Sequence, residues 1–123
     1  MGSSREHKNL KNRIRIALGE RNDVLVHNNE GGFDPVHKIR YGLGKGSGDL
    51  LIEVAINVTI EHETDCTVAR SGYLEIKTGN ATQDKDQKQW ARKVRSYGGF
   101  YAVVHSVEEA LDAVKRCRKG EYE

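Results

Sequence analysis

The sequence is poor in the residues that announce several protein classes. It holds one proline, two cysteines, one tryptophan and one methionine in 123 residues, and aromatics make up 7%. Cys66 and Cys117 lack metal-type spacing and follow no signal peptide, so both read as reduced thiols of a cytoplasmic protein. No apolar run approaches the roughly 20 residues that span a bilayer, which argues against a membrane partner. An excess of one charge is also missing: 20 basic and 18 acidic side chains leave a net charge of +2, so the total says nothing about partners. With 37% hydrophobic residues the chain is long enough for one small domain with a modest core.

What is there is local. The stretch GLGKGSGDLLIEV, Gly42 to Val54, packs glycines around Lys45 ahead of an apolar run. A phosphate-binding loop needs GxxxxGK followed by Ser or Thr. Here Gly46 follows Lys45, and the first glycine of that motif would fall on Ile39. The dinucleotide fingerprint fails as well, because Leu50, Ile52, Val54, Ile56, Val58 and Ile60 alternate with the period of a strand. No helix N-terminus follows to hold a phosphate. A nucleotide-binding domain is therefore excluded by spacing, and Asp49 stands at the mouth of a strand behind a glycine-rich approach.

The element order reads α-β-β-β-α-β-α. A first helix spans about Arg5 to Leu18, with Leu10, Ile14, Ala17 and Leu18 inward and Glu6 at the head of the stripe. Asp23 to Asn29 reads as a short strand, and Glu30 to Gly48, which contains Pro35, as a long mobile loop. Two strands between Asp49 and Lys77 form a hairpin turning around Glu63 to Asp65. In its second strand Glu75 and Lys77 project from one face. A helix from about Asp84 to Tyr97 buries Gln87, Trp90, Val94 and Tyr97 and stops at Gly98-Gly99. The run FYAVV, Phe100 to Val104, is apolar on both faces, as at a sheet centre. Ser106 and Glu109 form a capping box for a last helix, with Ala110, Leu111, Val114 and Cys117 inward. The crossover helix makes its flanking strands parallel, so the sheet is mixed. Residues 1–4 read as a leader, 5–119 as one domain and 120–123 as a tail.

Charge placement sharpens the reading. Asp49, Glu53, Glu61, Glu63 and Asp65 occur with no Lys or Arg between them, whereas Lys85, Lys88, Arg92, Lys93 and Arg95 face Asp86 alone. An acidic patch beside a basic helix suits a protein that holds both a cation and a polyanion, although solvated faces show the same pattern. Asp49 with Glu75-Ile76-Lys77 would supply two carboxylates and an ammonium, the groups that hold magnesium and stabilise charge on a phosphodiester. Taken singly, Asp49 caps a turn, Glu75 and Lys77 make a surface ion pair, and Gln87 is the capping partner of Asp84.

GSGDLLI, YLEIKTG and TQDKDQKQWARKVRSYGGFYAVVHSVEEAL together resemble the VRR-NUC domain, the virus-type replication-repair nuclease branch of the PD-(D/E)xK superfamily. The resemblance runs from Gly46 to the last helix; the extended loop before Asp49 and the long stretch from Ala55 to Gly72 depart from it. It implies a restriction-endonuclease-like α/β core, a mixed sheet flanked by helices, in a metal-dependent DNA endonuclease. By this resemblance Asp49, Glu75 and the Ile76 carbonyl hold Mg2+, with Mn2+ able to substitute, and Lys77 is the catalytic lysine. Gln87 is the helix glutamine beside the site, and the first-helix acid falls on Glu6, with Glu20 the weaker choice. Lys45, Lys85, Lys88 and Arg92 are expected to contact DNA. The expected activity is hydrolysis in branched DNA, as in a Holliday-junction resolvase, by a homodimer in a bacterial or phage-infected cell. The alternatives are a nuclease for flaps or single strands, and a nucleic-acid-binding module without activity.

Overall fold

The computed structural model describes residues 4–41, 46–61 and 64–121. Three helices, α1 (Ser4–Gly19), α2 (Lys85–Ser96) and α3 (Val107–Arg118), accompany six strands. The strands are β1 (Val24–Asn28), β2 (Gly32–Asp34), β3 (Ile39–Tyr41), β4 (Leu50–Ile60), β5 (Thr64–Ile76) and β6 (Phe100–Val104). The main sheet has the order β1-β4-β5-β6. β1 and β5 flank β4 antiparallel, and β6 joins β5 in parallel after the α2 crossover, giving the mixed α/β sheet that the element order implies.

Each face of the sheet is covered differently. Leu10, Ile14 and Leu18 of α1 and Ala110, Ala113, Val114 and Cys117 of α3 close over Leu50, Ile52, Val54, Leu74, Ile76, Phe100 and Val104 to make the main core. On the other face α2 lays Ala91 and Val94 on Tyr101, with Tyr73 and Trp90 at the margin. Tyr73 meets Trp90 edge-on at 5.8 Å between ring centroids. Arg70 fastens β5 to both neighbouring helix ends: its Nε donates to Gly98 O and its guanidinium to Cys117 O, where the negative end of the helix dipole favours a cation.

Four expectations are corrected. Residues 30–41 are not a structureless loop, since β2 and β3 pair antiparallel within them, and residues 42–45 of that expected loop lie outside the described residues. Asp34 shapes that hairpin: its Oδ1 accepts from the Val36 and His37 N–H groups, a turn that its own side chain builds. β6 is covered on both faces yet is a terminal strand of the described sheet. Tyr97 does not join the buried stripe of α2; it is the C-cap and 78% exposed, while Ala91 is buried in its place. The helix ends there because Gly98 N–H bonds Arg95 O and Gly99 N–H bonds Val94 O, the Schellman pattern. Last, Asp65 belongs to β5, paired with Thr59, and not to the turn. At α3 the cap is half as expected, with Ser106 Oγ accepting from Glu109 N–H while the Glu109 carboxylate meets His105 instead.

Candidate active site

Asp49 precedes β4 as an extension of its ladder. Its N–H donates to Leu74 O at 2.9 Å, and its Oδ2 accepts from Ile76 N–H at 2.7 Å. The carboxylate is thereby drawn onto the last turn of backbone before Lys77. Two residues earlier on the same strand, Glu75 projects towards α2 and is 7% exposed. Lys77, on the same side of β5, brings Nζ to 3.5 Å from Glu75 Oε1. The strand period that places residues i and i+2 together thus gathers the three charged groups at one end of the β4–β5 ladder.

Burial is not neutral for this cluster. Loss of water first, and the neighbouring charge of Asp49 second, push the Glu75 carboxyl up to about 7, with Lys77 acting in the opposite sense. A buried carboxylate with a perturbed affinity for protons, facing a second carboxylate and an ammonium, marks a functional cluster better than a structural ion pair does. The oxygens of Asp49, Glu75 and the Ile76 carbonyl form a hard donor set. Among the described residues no group of three or more His, Cys, Asp or Glu side chains converges as a metal site.

The glycine-rich approach is fixed where it is described. A Cβ on Gly46, at φ +87°, would overlap the Asp86 backbone carbonyl and stand 2.8 Å from Gln87 N. The loop therefore lies directly on the first turn of α2, as only a glycine permits. Tyr101 OH donates to Gly46 O at 3.1 Å, and Asn29 Nδ2 donates to both Ser47 Oγ and Gly48 O at 2.7 Å. Burial and the charge of Glu75 raise the Tyr101 phenol well above its ordinary value, keeping it a neutral donor. These contacts hold Asp49 at its strand mouth from three elements.

The remaining candidates separate. Gln87 is buried, and its Oε1 accepts from Asp84 N–H while its own N–H donates to Asp84 Oδ1, so it completes a capping box at the α2 N-terminus. Lys85, Lys88 and Arg92 are exposed along α2. Lys45 lies outside the described residues. Glu6 is exposed and lines a cleft of about 260 Å3 with Arg13, Thr78 and His105. Glu20 follows the opposite end of α1, about 24 Å from its start at the helical rise.

From α1 the group that reaches Asp49 is His7, which sequence reasoning passed over. Its Nε2 lies 3.0 Å from Ile76 O and 3.4 Å from Asp49 Oδ2. The signal was present: His7, Leu10, Ile14 and Leu18 continue one helical stripe backwards by i−3, just as Glu6 does by i−4. A separate cleft of about 600 Å3 between α1 and β1, lined by Asn12, Arg15, Ile16, Arg21 and Leu25 among others, is larger but contains no acid. Chemistry and volume disagree here, and the convergent charges mark the candidate site. No protein-family model matches the chain, and no curated protein matches it in sequence.

Proposed function

We propose that the protein is a metal-dependent DNA endonuclease of the VRR-NUC type, with a restriction-endonuclease-like core, that cleaves branched DNA as a homodimer. The observation that carries this reading is the joining of Asp49, Glu75 and Lys77 at one ladder end, with Glu75 buried against the other two. A module that only bound a polyanion would gain nothing from two carboxylates beside it.

Asp49, Glu75 and the Ile76 carbonyl would hold magnesium, or manganese in its place. Such a cation, when bound, neutralises charge on a phosphate and acidifies water. Lys77 keeps an ammonium beside the carboxylates, where it stabilises negative charge developing on the phosphate. Lys85, Lys88 and Arg92 offer exposed cations to the DNA backbone along the same helix whose first turn seats Gly46. The part of the β4–β5 hairpin beyond its neighbours supplies surface for a second copy, which would set two sites on opposed strands of a four-way junction.

The test is incubation with four-way junctions, flaps, nicked duplex and single strands, with and without magnesium or manganese. Paired symmetric nicks in the junction are expected only with metal. Cleavage confined to flaps or single strands leaves the nuclease and removes the resolvase; no cleavage of any substrate removes the activity. Affinity for the junction is expected to fall steeply between low and physiological salt, because the contacts are to phosphates.

A further inference from the structure

We propose that the outer edge of β1, with the cleft it shares with α1, is a docking site for an extended acidic segment of another protein, which adds a strand to the main sheet. None of the charged groups at Asp49 takes part, so this site is independent of the nuclease reading.

β1 is a terminal strand, bonded to β4 along one side only. The Ala55 N–H donates to Asp23 O and the Asn29 N–H to Asp49 O, so the odd-numbered residues face β4. By the alternation of an antiparallel ladder, Val24, Val26 and Asn28 turn N–H and C=O outwards. Among the described residues no other strand or loop bonds to these outward groups. Natural edges are blunted by a lysine, a proline, a bulge or a covering element. β1, Val-Leu-Val-His-Asn, has neither of those residues and pairs with β4 in unbroken register, and beside it lies a cleft instead of a cover.

The cleft discriminates by shape and by charge. Asn12, Ile16 and Gly19 fall at i, i+4 and i+7 on α1 and form one wall, and Val24 to Val26 form the other. Ile16 and Leu25 are 64% and 62% exposed, apolar surface that an added strand would cover. Leu25 also lines a cleft of about 200 Å3 on its other side, with Ala55 and Ala69, so alternate side chains of the added strand find room on both faces. Arg21 is already held by Asp23 through two bonds of 2.9 Å, whereas Arg15 is exposed and no acid lines the cleft beside it. An Asp or Glu opposite Arg15, with apolar residues against Ile16 and Leu25, satisfies these groups together. Nucleic acid does not, because the edge presents as many carbonyl acceptors as N–H donors, and the carbonyls oppose a phosphate. The β1 of a second copy brings no acid to Arg15.

The test uses the full chain and a blocked peptide alternating valine with glutamate, about seven residues long so that at roughly 3.3 Å per residue it spans β1. Saturable one-to-one binding is expected by calorimetry. Methylating the alternate backbone nitrogens of the peptide one set at a time should weaken binding at least about tenfold for the set that faces β1 and little for the other. Leu25→Asp, at an exposed position, is expected to weaken binding to a similar extent with the melting temperature and junction cleavage unchanged. Arg15→Glu should reverse the charge preference, taking a peptide with lysine in place of glutamate. Val26→Pro deletes an outward N–H and no bond to β4, as edge strands tolerate, and should block the peptide; if it does not fold, Leu25→Asp and the methylated peptides decide. Absence of saturable binding, or equal binding of both methylated peptides, overturns the proposal. So does a DNA duplex that displaces the peptide from wild type and binds Leu25→Asp as well, which makes the cleft a polyanion contact. A dimer that Leu25→Asp converts to monomer in light scattering without peptide assigns the edge to a second copy and overturns it too.

Discussion

At one end of the β4–β5 ladder Leu50, Ile52 and Val54 are fully buried, whereas Ile56 and Val58, which continue the same alternation, are half-buried, and Val68 opposite Ile56 is 39% exposed. The flanking strands account for the change. β1 pairs with β4 only across Leu50–Val54, and β6 pairs with β5 only across Gly72–Ile76, so both gather at the end that carries Asp49, Glu75 and Lys77. Beyond them the hairpin runs on as a two-stranded arm, its polar face tied by Thr67 to Asn57 and by Thr59 to Asp65. One end is a rigid platform for charges whose burial is costly; the other is a ribbon of the kind that is marginal in water by itself. A site with a buried carboxylate can exist only at the covered end.

The largest effect is expected at the covered end and on rate. Glu75→Ala or Lys77→Ala should reduce junction cleavage by on the order of 10³-fold, the scale of losing a group that stabilises transition-state charge. Neither should lower the melting temperature in metal-free buffer, because neither side chain belongs to either apolar cluster. A variant that cleaves like wild type in manganese or magnesium would dismiss the assignment.

The two ends should also differ in stability. Ile52→Ala, at a position with no exposure, is expected to cost about 2–5 kcal/mol, and Val58→Ala on the arm under about 1 kcal/mol. Urea denaturation of the pair decides it. Equal losses would mean that the arm is as firmly packed as the platform.

How much of this was legible depended on whether a feature has a period. The helices and the long strands show themselves because their apolar faces repeat, and Glu75 and Lys77 fall on one face by the strand period alone. β2 and β3 are three residues each, too short to repeat anything, and their one local sign is Asp34-Pro35. The coverage that separates Val54 from Val58 is invisible in an unbroken alternation, because it is set by strands elsewhere in the chain. Glu6 and His7 both extend the α1 stripe, and only the packed helix shows that His7 is the one that reaches Asp49. The glycines before Asp49 suggested freedom, yet Gly46 and Gly48 hold positive φ values of +87° and +108° against fixed backbone.

The third comparison concerns pH. Glu75 is held up to about 7 from an ordinary value of 4.5, so the metal-free native state binds a proton that the unfolded chain has released. Its contribution is complete below about pH 4.5 and is lost as the pH rises through about 7. Metal-free wild type should therefore lose up to about 3 kcal/mol between those limits from this group, at 1.36 kcal/mol per pKa unit. Glu75→Gln should remove that dependence and be the more stable protein at pH 8. A variant whose stability falls through pH 7 as steeply as that of wild type would show that Glu75 is not the group responsible.

The smallest effect on fold and chemistry is expected at the far end of the arm. Replacing residues 57–67 by Asn-Gly joins Ile56 to Val68 through a two-residue turn, a sequence suited to the twist of a hairpin. Every group of the site lies outside the excision, as do β1, β6 and the three helices. The stability of the remaining platform should change by less than about 1 kcal/mol, since none of the described side chains in the removed part is fully buried. Metal binding should be unaltered. What should disappear is the second copy: if the arm supplies the dimer interface, light scattering will report a monomer, and junction cleavage will pass from paired nicks to single ones at a similar rate per site. A shortened protein that remains dimeric would move the interface elsewhere, towards exposed Ile16 and Leu25 beside the cleft between α1 and β1. One that loses metal binding would show that the two ends of the ladder are coupled, and the division drawn between them would fail.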